Sequence, residues 1–292
     1  MRNPQPGIFA LGTASHAYLE LDALPAVAPA ELVRAVASLR EPRTTMGGVN
    51  LVAGFGPELW REVAPEDAPE GLVGFNGPLS GESALEMPAT QHDAVLWLSG
   101  SAYDVIFETS RLAIGELAEV AAVAEETSSW PYRHDRDLTG FIDGTENPSL
   151  VEASDVTVIG EDEPGSGGTV LLLQKWAHDA NEWESLPDAD QELVIGRRKV
   201  DSVELDDKPS DSHVASTDQD RLGKIFRRNM PYGTVTDHGT MFVGFSADQQ
   251  ILASMLESMV STPDALMRYT HPLTGAYYFI PSVESLRRES GS

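Results

Sequence analysis

Two stretches of this 292-residue chain present strand and helix patterns in a similar order, and this order limits the folds that the chain can adopt. In the first stretch, alternating residues predict a strand over 16–21, and apolar residues at helical spacing predict a helix over 29–39. Two further strands are predicted over 49–55 and 94–98, and an amphipathic helix follows over 103–117. The order is therefore strand, helix, strand, strand, helix.

The second stretch repeats much of this order. Strands are predicted over 169–176, 224–227 and 241–245, followed by a helix over 248–260. The elements alternate without the regular strand–helix–strand crossovers of a doubly wound parallel sheet. The sequence therefore predicts an α+β fold, in one domain over 1–292 with two related halves at about 1–135 and 136–292.

Composition excludes several kinds of chemistry. The chain has no cysteine, which rules out disulfides, thiolate ligands, iron–sulfur clusters and the covalent attachment of c-type haem. The formal charge of −26, with 46 Asp and Glu against 20 Lys and Arg, opposes nucleic-acid binding and favours cationic over anionic small substrates. The longest apolar runs are too short to span a bilayer, and the first seven residues lack the pattern of a secretory signal. We therefore expect a cytoplasmic protein with no nucleic-acid or membrane partner.

The run 140–148 (Gly-Phe-Ile-Asp-Gly-Thr-Glu-Asn-Pro) places Asp143 on a glycine-flanked loop. Gly140 and Gly144 allow a sharp turn and a close approach to a flat ligand. Such a carboxylate can take a proton from one oxygen of hydrogen peroxide and return it to the other. The structural alternative is an Asp-Gly turn in which the Asp side chain caps its own backbone.

His213 is the candidate metal ligand among seven histidines. It follows Ser210-Asp211-Ser212, which is typical of a helix N-cap. Periodicity alone does not choose among the histidines. The alternative ligand is His238, whose neighbours Asp237 and Gly239 are more typical of a turn.

The segment 225–233 contains two adjacent arginines that strand alternation separates. Arg227 and Asn229 are expected on one face, and Arg228 is expected on the other, where an ion pair would satisfy it. A fixed guanidinium on the first face can stabilise the negative charge that develops on a departing peroxide oxygen.

These segments resemble the dye-decolourising peroxidase family, and the Gly-x-x-Asp-Gly-Thr core matches its signature loop. The resemblance implies that Arg227 and Asn229 lie on the peroxide side of a haem, with His213 as the axial iron ligand. Asp264 is the predicted acceptor for the other ring nitrogen of His213. Further segments extend the resemblance, which is closest to the compact bacterial members: 54–60, 195–199 and 274–282.

The family resemblance implies two ferredoxin-like halves that form a sheet-on-sheet sandwich or barrel flanked by helices. It implies one non-covalent haem b per chain, contacted by Arg227 and by the loop residues Gly144, Thr145 and Glu146. The implied reaction uses hydrogen peroxide to oxidise dyes, phenols or other bulky one-electron donors through a ferryl-oxo porphyrin radical, with an optimum at acidic pH. A homo-oligomer is also expected.

Two alternatives stay open at the level of sequence. A haem-handling protein that releases iron or binds porphyrin would keep the same pocket, with peroxidase activity as a side reaction. A binding module without haem would share only the fold, and the combination of Asp143, His213 and Arg227 argues against it.

Overall fold

The strands of the protein form an antiparallel sheet that closes on itself as a barrel. In the computed structural model, which describes residues 2–40, 48–83 and 85–291, ten strands belong to this sheet and two short ones pair separately. The strands of the barrel sheet are β1 (Ser15–Ala23), β2 (Val49–Phe55), β5 (Ala94–Gly100), β6 (Ala121–Ser129), β7 (Thr169–His178), β8 (Phe226–Arg227), β9 (Met230–Gly233), β10 (His238–Ser246), β11 (Thr270–Pro272) and β12 (Ala276–Ile280). The separate pair consists of β3 (Leu79–Ser80) and β4 (Glu86–Met87).

Helices cover the outside of the barrel. The α-helices are α1 (Pro29–Ser38), α2 (Pro57–Val63), α3 (Tyr103–Leu117), α4 (Leu150–Thr157), α5 (Ala180–Ser185), α6 (Asp188–Ile195), α7 (His213–Ser216), α8 (Gln219–Leu222), α9 (Gln249–Ser261) and α10 (Val283–Ser290). Short 3₁₀ turns lie at Pro6–Phe9, Pro65–Asp67 and Ala265–Arg268. None of the helices among the described residues combines the length and apolar character needed to cross a bilayer.

The two groups of strands have the same spatial order. In the first group the order is β6-β1-β5-β2, and in the second it is β12-β7-β10-β9, with β8 and β11 on the same edges as β9 and β12. Each is the order of the ferredoxin-like motif. The groups join where Phe55 pairs with Phe279 and where Ser129 pairs with Tyr232. The predicted α+β class is confirmed, and the sheet is a closed barrel.

Alternation along each strand divides the apolar residues between two cores. Tyr18, Trp97 and Tyr278 point into the barrel, whereas Leu19 and Leu172 point outward beneath the helices. This period of two is what a sheet with both faces covered requires. The outer face of β7 and β10 is where the cavity described below lies.

The predicted strand over 224–227 is shorter in the structure, where only Phe226–Arg227 pairs with β10. The N–H of Ile225 donates to the side chain of Gln219 (3.1 Å) instead of to a strand. Beyond Arg227 the N–H of Arg228 still donates to the carbonyl of Val243 (2.8 Å), but the N–H of Val243 donates to the side-chain oxygen of Asn229 (3.0 Å) and not to a backbone carbonyl. Side chains that compete for backbone groups thus confine β8 to two residues.

Candidate active site

A cavity on the outer face of β7 and β10 contains the side chains of Asp143, His213, Arg227 and Asn229. The loop 137–146 lines one part of it, and α7 and α9 line another. The apolar part of the wall is formed by residues of α9 and of the outer face of β7 and β10: Leu252, Met255, Leu256 and Met259, with Leu172 and Phe242. Four side chains that the sequence placed in one site are therefore brought together by the fold.

His213 is the first residue of α7, with Ser212 at the N-cap position. Its Nδ1 lies 2.8 Å from Oδ2 of Asp264, whose side chain is fully buried. The other oxygen of Asp264 accepts the N–H of Leu266 (3.0 Å), which fixes the carboxylate in place. Because Nδ1–H donates to Asp264, the nitrogen left for the cavity is Nε2, in the form that can ligate a metal.

Asp143 is held by its own loop. Its N–H donates to the carbonyl of Asp135 (2.8 Å), and its Oδ1 accepts the N–H of Gly144 (2.7 Å). Gly144 has φ of +74°, a conformation that favours glycine. The turn that was the structural alternative is thus present, and the same carboxylate also lies 3.9 Å from Nη2 of Arg227. The two interpretations are compatible.

Arg227 is positioned by the side chain of Asn147, which forms hydrogen bonds to both backbone groups of Arg227. The side chain of Arg227 is 18% exposed, and its Nε is buried without a hydrogen-bond partner among the described residues. A buried donor without a hydrogen-bond partner costs free energy. It indicates that a polar group belongs there.

Strand alternation separates the two arginines as predicted, but Arg228 forms no ion pair in the part of the chain that the structure describes. It donates to the carbonyls of Ile8 (2.8 Å) and Ala10 (2.7 Å) and stacks over Trp97, 5.1 Å from the ring centroid. The prediction of an ion pair is therefore wrong, because carbonyl oxygens inside the barrel accept the hydrogen bonds of this guanidinium. Burial lowers the pKa of Arg228 to about 10.

The remaining residues predicted from the sequence lie partly inside the cavity and partly outside it. Thr145 and Glu146 line the cavity, and Glu146 pairs with Arg197, itself a buried cavity residue. Gly144 shapes the loop, since its N–H donates a hydrogen bond to the carboxylate of Asp143. His238 begins β10, where its Nδ1 lies 3.0 Å from the carbonyl of Thr234, away from the cavity.

Sequence reasoning missed Asp137, another carboxylate that lines the cavity. Its Oδ1 accepts the N–H and the hydroxyl of Thr139, and burial, followed by the charge of Asp143, raises its pKa to about 6. Arg136 steadies this loop by donating to the carbonyls of Gly140 (2.6 Å) and Lys199 (2.8 Å). The run Arg-Asp-Leu-Thr just before the glycine loop is a signal that could have indicated an Asx turn here.

Comparisons with known proteins agree with this site. A family model described as the N-terminal part of Dyp-type peroxidases matches residues 20–130, and the C-terminal model matches residues 134–285. A dye-decolorizing peroxidase from Rhodococcus erythropolis is 35% identical, with 84% of this chain and 75% of the relative covered.

Solved structures show the same relationship. A dye-decolorizing peroxidase from Bacteroides thetaiotaomicron superposes with a TM-score of 0.90 at 27% identity, over 99% of each chain. A variant of DypB from Rhodococcus jostii, solved in complex with heme, superposes with a TM-score of 0.88 at 31% identity, over 98% of this chain and 99% of that one. The agreement of sequence, fold and site identifies this chain as a member of the Dyp-type peroxidase family.

Proposed function

We propose that this peroxidase holds one non-covalent haem b per chain in the cavity and uses it to oxidise dyes, phenols or other bulky donors with hydrogen peroxide. The donor set suits the group: His213 offers Nε2, the side walls are apolar, and the chain has no thiolate to compete. The related structure with bound heme supports the same assignment. The chemistry that haem supplies when bound is reversible oxidation at iron, which none of the cavity side chains provides.

The residues of this chain would bind the haem, transfer the proton and stabilise the developing charge. His213 would hold the iron, with Asp264 fixing the ring and increasing its basicity through Nδ1. Asp143 would take the proton from one peroxide oxygen and deliver it to the other. Arg227 would stabilise the charge on the departing oxygen, and the amide of Asn229 would lie beside it as a polar companion.

Three neighbours in the loop complete the proposed site. Thr145 and Glu146 would contact the haem from the cavity wall, and Gly144 would allow the turn that presents them. The observation that carries the proposal is the placement of Asp143 within 3.9 Å of Arg227 in the cavity that also contains His213. A proton carrier and a fixed cation at one site are what cleavage of a peroxide bond requires.

The substitution Asp143→Asn tests this division of work, with Asp135→Asn as the matched control. Both carboxylates belong to one loop, but the side chain of Asp135 is exposed and only its carbonyl contacts Asp143. After loading with haem, Asp143→Asn is expected to lower the rate of peroxide turnover about 10²–10⁴-fold. The control is expected to keep the wild-type rate. Equal rates in the two variants would remove Asp143 from the mechanism.

The haem-handling alternative is not favoured, because the matching family and relatives are named as peroxidases. Metal-free porphyrin as the product of incubation with haem and a reductant would revive it. Oxidised donor in the presence of peroxide is the result expected here.

We further propose that the chain acts in the cytoplasm as a homo-oligomer and that its single domain consists of two related halves, about 1–135 and 136–292. A chain without cysteine depends on no disulfide and can therefore fold in a reducing compartment. Self-association is supported by α3, where Tyr103 and Phe107 are 61% and 49% exposed on consecutive turns. Light scattering of the Phe107→Glu variant against wild type would test the oligomer.

A further inference from the structure

Glu20 and Tyr278 form a buried pair inside the barrel, on the other side of the sheet from the cavity. The hydroxyl of Tyr278 donates to Oε2 of Glu20 at 2.5 Å, and the two residues are 0% and 3% exposed. Glu20 belongs to β1 and Tyr278 to β12, so the bond crosses the barrel interior. The mechanism proposed above uses neither residue.

Burying an ionised carboxylate at the position of Glu20 costs free energy. Burial is the main reason that the pKa of Glu20 rises to about 7 and that the pKa of Tyr278 lies well above its ordinary value. Glu125 faces Glu20 across the β1–β6 register. Among the described residues Glu20 forms no ion pair: Lys175 pairs with Glu125 (2.8 Å), and the ring of His92 bonds to Asp22 (2.9 Å).

A glutamine would fill the same volume and accept the same hydrogen bond without the cost of burying a charge. A residue that lowers stability and is not required for packing is often retained for function. What a carboxylate can do here, and an amide cannot, is receive the proton of Tyr278.

We propose that Tyr278 and Glu20 form a one-electron redox site inside the barrel, in which Tyr278 loses an electron and passes its hydroxyl proton to Glu20. The electron goes to the oxidised centre that peroxide generates in the cavity, so the inference rests on the proposed function for its oxidant. The products are a neutral tyrosyl radical and a protonated Glu20. One electron from a donor and the return of the proton restore the pair.

The strand register places Tyr278 close to the cavity. Tyr278 pairs with Leu171 of β7, and the next residue of β7, Leu172, lines the cavity from the other face. Neighbouring strands lie about 5 Å apart. An electron that leaves Tyr278 therefore has only one layer of sheet to cross.

Tyr18 provides an internal comparison. It is 2% exposed, belongs to the same interior core as Tyr278, and stacks on Trp97 with centroids 6.0 Å apart. Its buried hydroxyl has no hydrogen-bond partner within the described ranges. Oxidation of Tyr18 would leave its proton without an acceptor, so the two tyrosines are expected to behave differently although both are buried in one core.

Freeze-quench electron paramagnetic resonance tests the proposal on haem-loaded protein at pH 8, where Glu20 is mostly ionised, after one equivalent of peroxide without donor. Wild type is expected to give a tyrosyl radical signal that narrows when tyrosine rings are deuterated. The signal is expected to disappear in Tyr278→Phe and to persist in Tyr18→Phe. In Glu20→Gln, which keeps Tyr278 and an acceptor oxygen, the yield is expected to fall about tenfold or more.

Parallel assays of donor oxidation separate the possible failures. If wild type oxidises the donor while Tyr278→Phe and Glu20→Gln leave the radical signal unchanged, the redox site is overturned and the peroxidase assignment stands. If wild type oxidises no donor, the proposed function fails and removes the oxidant on which the redox site depends. Should Tyr278→Phe fail to fold, the Glu20→Gln signal alone decides, since a full wild-type yield would contradict the proposal.

Discussion

The side chain of Asn147 makes both backbone hydrogen bonds of Arg227. Its Oδ1 accepts the N–H of Arg227 at 2.8 Å, and its Nδ2 donates to the carbonyl at 2.9 Å. The amide thus replaces one residue of a neighbouring strand along the free edge of β8. A Cβ at Gly144 would lie 3.1 Å from this Nδ2, so the glycine loop and the position of Arg227 are coupled.

Replacing Asn147 by alanine is expected to lower kcat/KM for peroxide by about 10–100-fold, because a small displacement of Arg227 costs much of its effect on the developing charge. Haem uptake is expected to remain. Steady-state kinetics check this, with Asn76→Ala as the control, since Asn76 is exposed and bonds to Glu58 at the surface. Kinetics equal to those of the control would contradict the positioning role of Asn147.

Substitution of the two adjacent arginines is expected to affect different properties: activity for Arg227 and stability for Arg228. Arg227→Met would lower kcat by about 10²–10³-fold, with a change in the free energy of unfolding below about 1 kcal/mol. Arg228→Met would leave the carbonyls of Ile8 and Ala10 unpaired and lower that free energy by about 2–4 kcal/mol. Kinetics and urea unfolding of both variants measure the two effects. Loss of activity in Arg228→Met with the stability of wild type would contradict a structural role for Arg228.

Asp264→Asn is expected to raise the reduction potential of the bound haem, because the neutral amide no longer increases the basicity of His213. Haem affinity is expected to fall by about 10–100-fold. A spectroelectrochemical titration and a haem-binding titration check these outcomes. Asp211→Asn is the control, because the Asp211 side chain is exposed and contacts Arg268 at 3.5 Å. The same potential in both variants would show that the Asp264 contact does not tune the ligand.

Glu20→Gln is expected to change how stability depends on pH. The folded state raises the pKa of Glu20 from 4.5 to about 7, so folding favours the protonated form. The stability associated with that proton is full below pH 4.5 and is lost as pH rises through 7, a difference of about 3 kcal/mol. The glutamine variant lacks this loss and is expected to gain on wild type between pH 5 and pH 8 in urea unfolding. A constant difference between the two proteins across that range would contradict the assignment.

Much of the site could be predicted from the sequence because its chemistry is concentrated in short runs. The loop 140–148 supplies Asp143, and strand alternation correctly separates Arg227 and Asn229 from Arg228. The contact between His213 and Asp264 joins residues 51 positions apart. It was predicted because a ligating histidine normally donates its other ring N–H to an acceptor, not from spacing.

The parts that sequence reasoning missed depend on closure of the barrel. Asn147 reaches a backbone 80 positions away, and the acceptors of Arg228 lie more than 200 positions away. Whether a buried guanidinium meets a carboxylate or carbonyls is decided by which turn lies beneath it. No local pattern encodes that choice, and for the same reason the hydrogen bond between Glu20 and Tyr278 becomes visible only in the folded barrel.

The most direct test of the central claim is the ultraviolet–visible spectrum of the protein titrated with haem, before and after one equivalent of hydrogen peroxide, for wild type and His213→Ala. His238→Ala serves as the matched histidine control, since His238 lies outside the cavity. We expect stoichiometric uptake by wild type and a Soret band that shifts on addition of peroxide, with the band altered or lost only in His213→Ala. Failure of wild type to bind haem stoichiometrically, or an unchanged spectrum in His213→Ala, would contradict a histidine-ligated haem peroxidase.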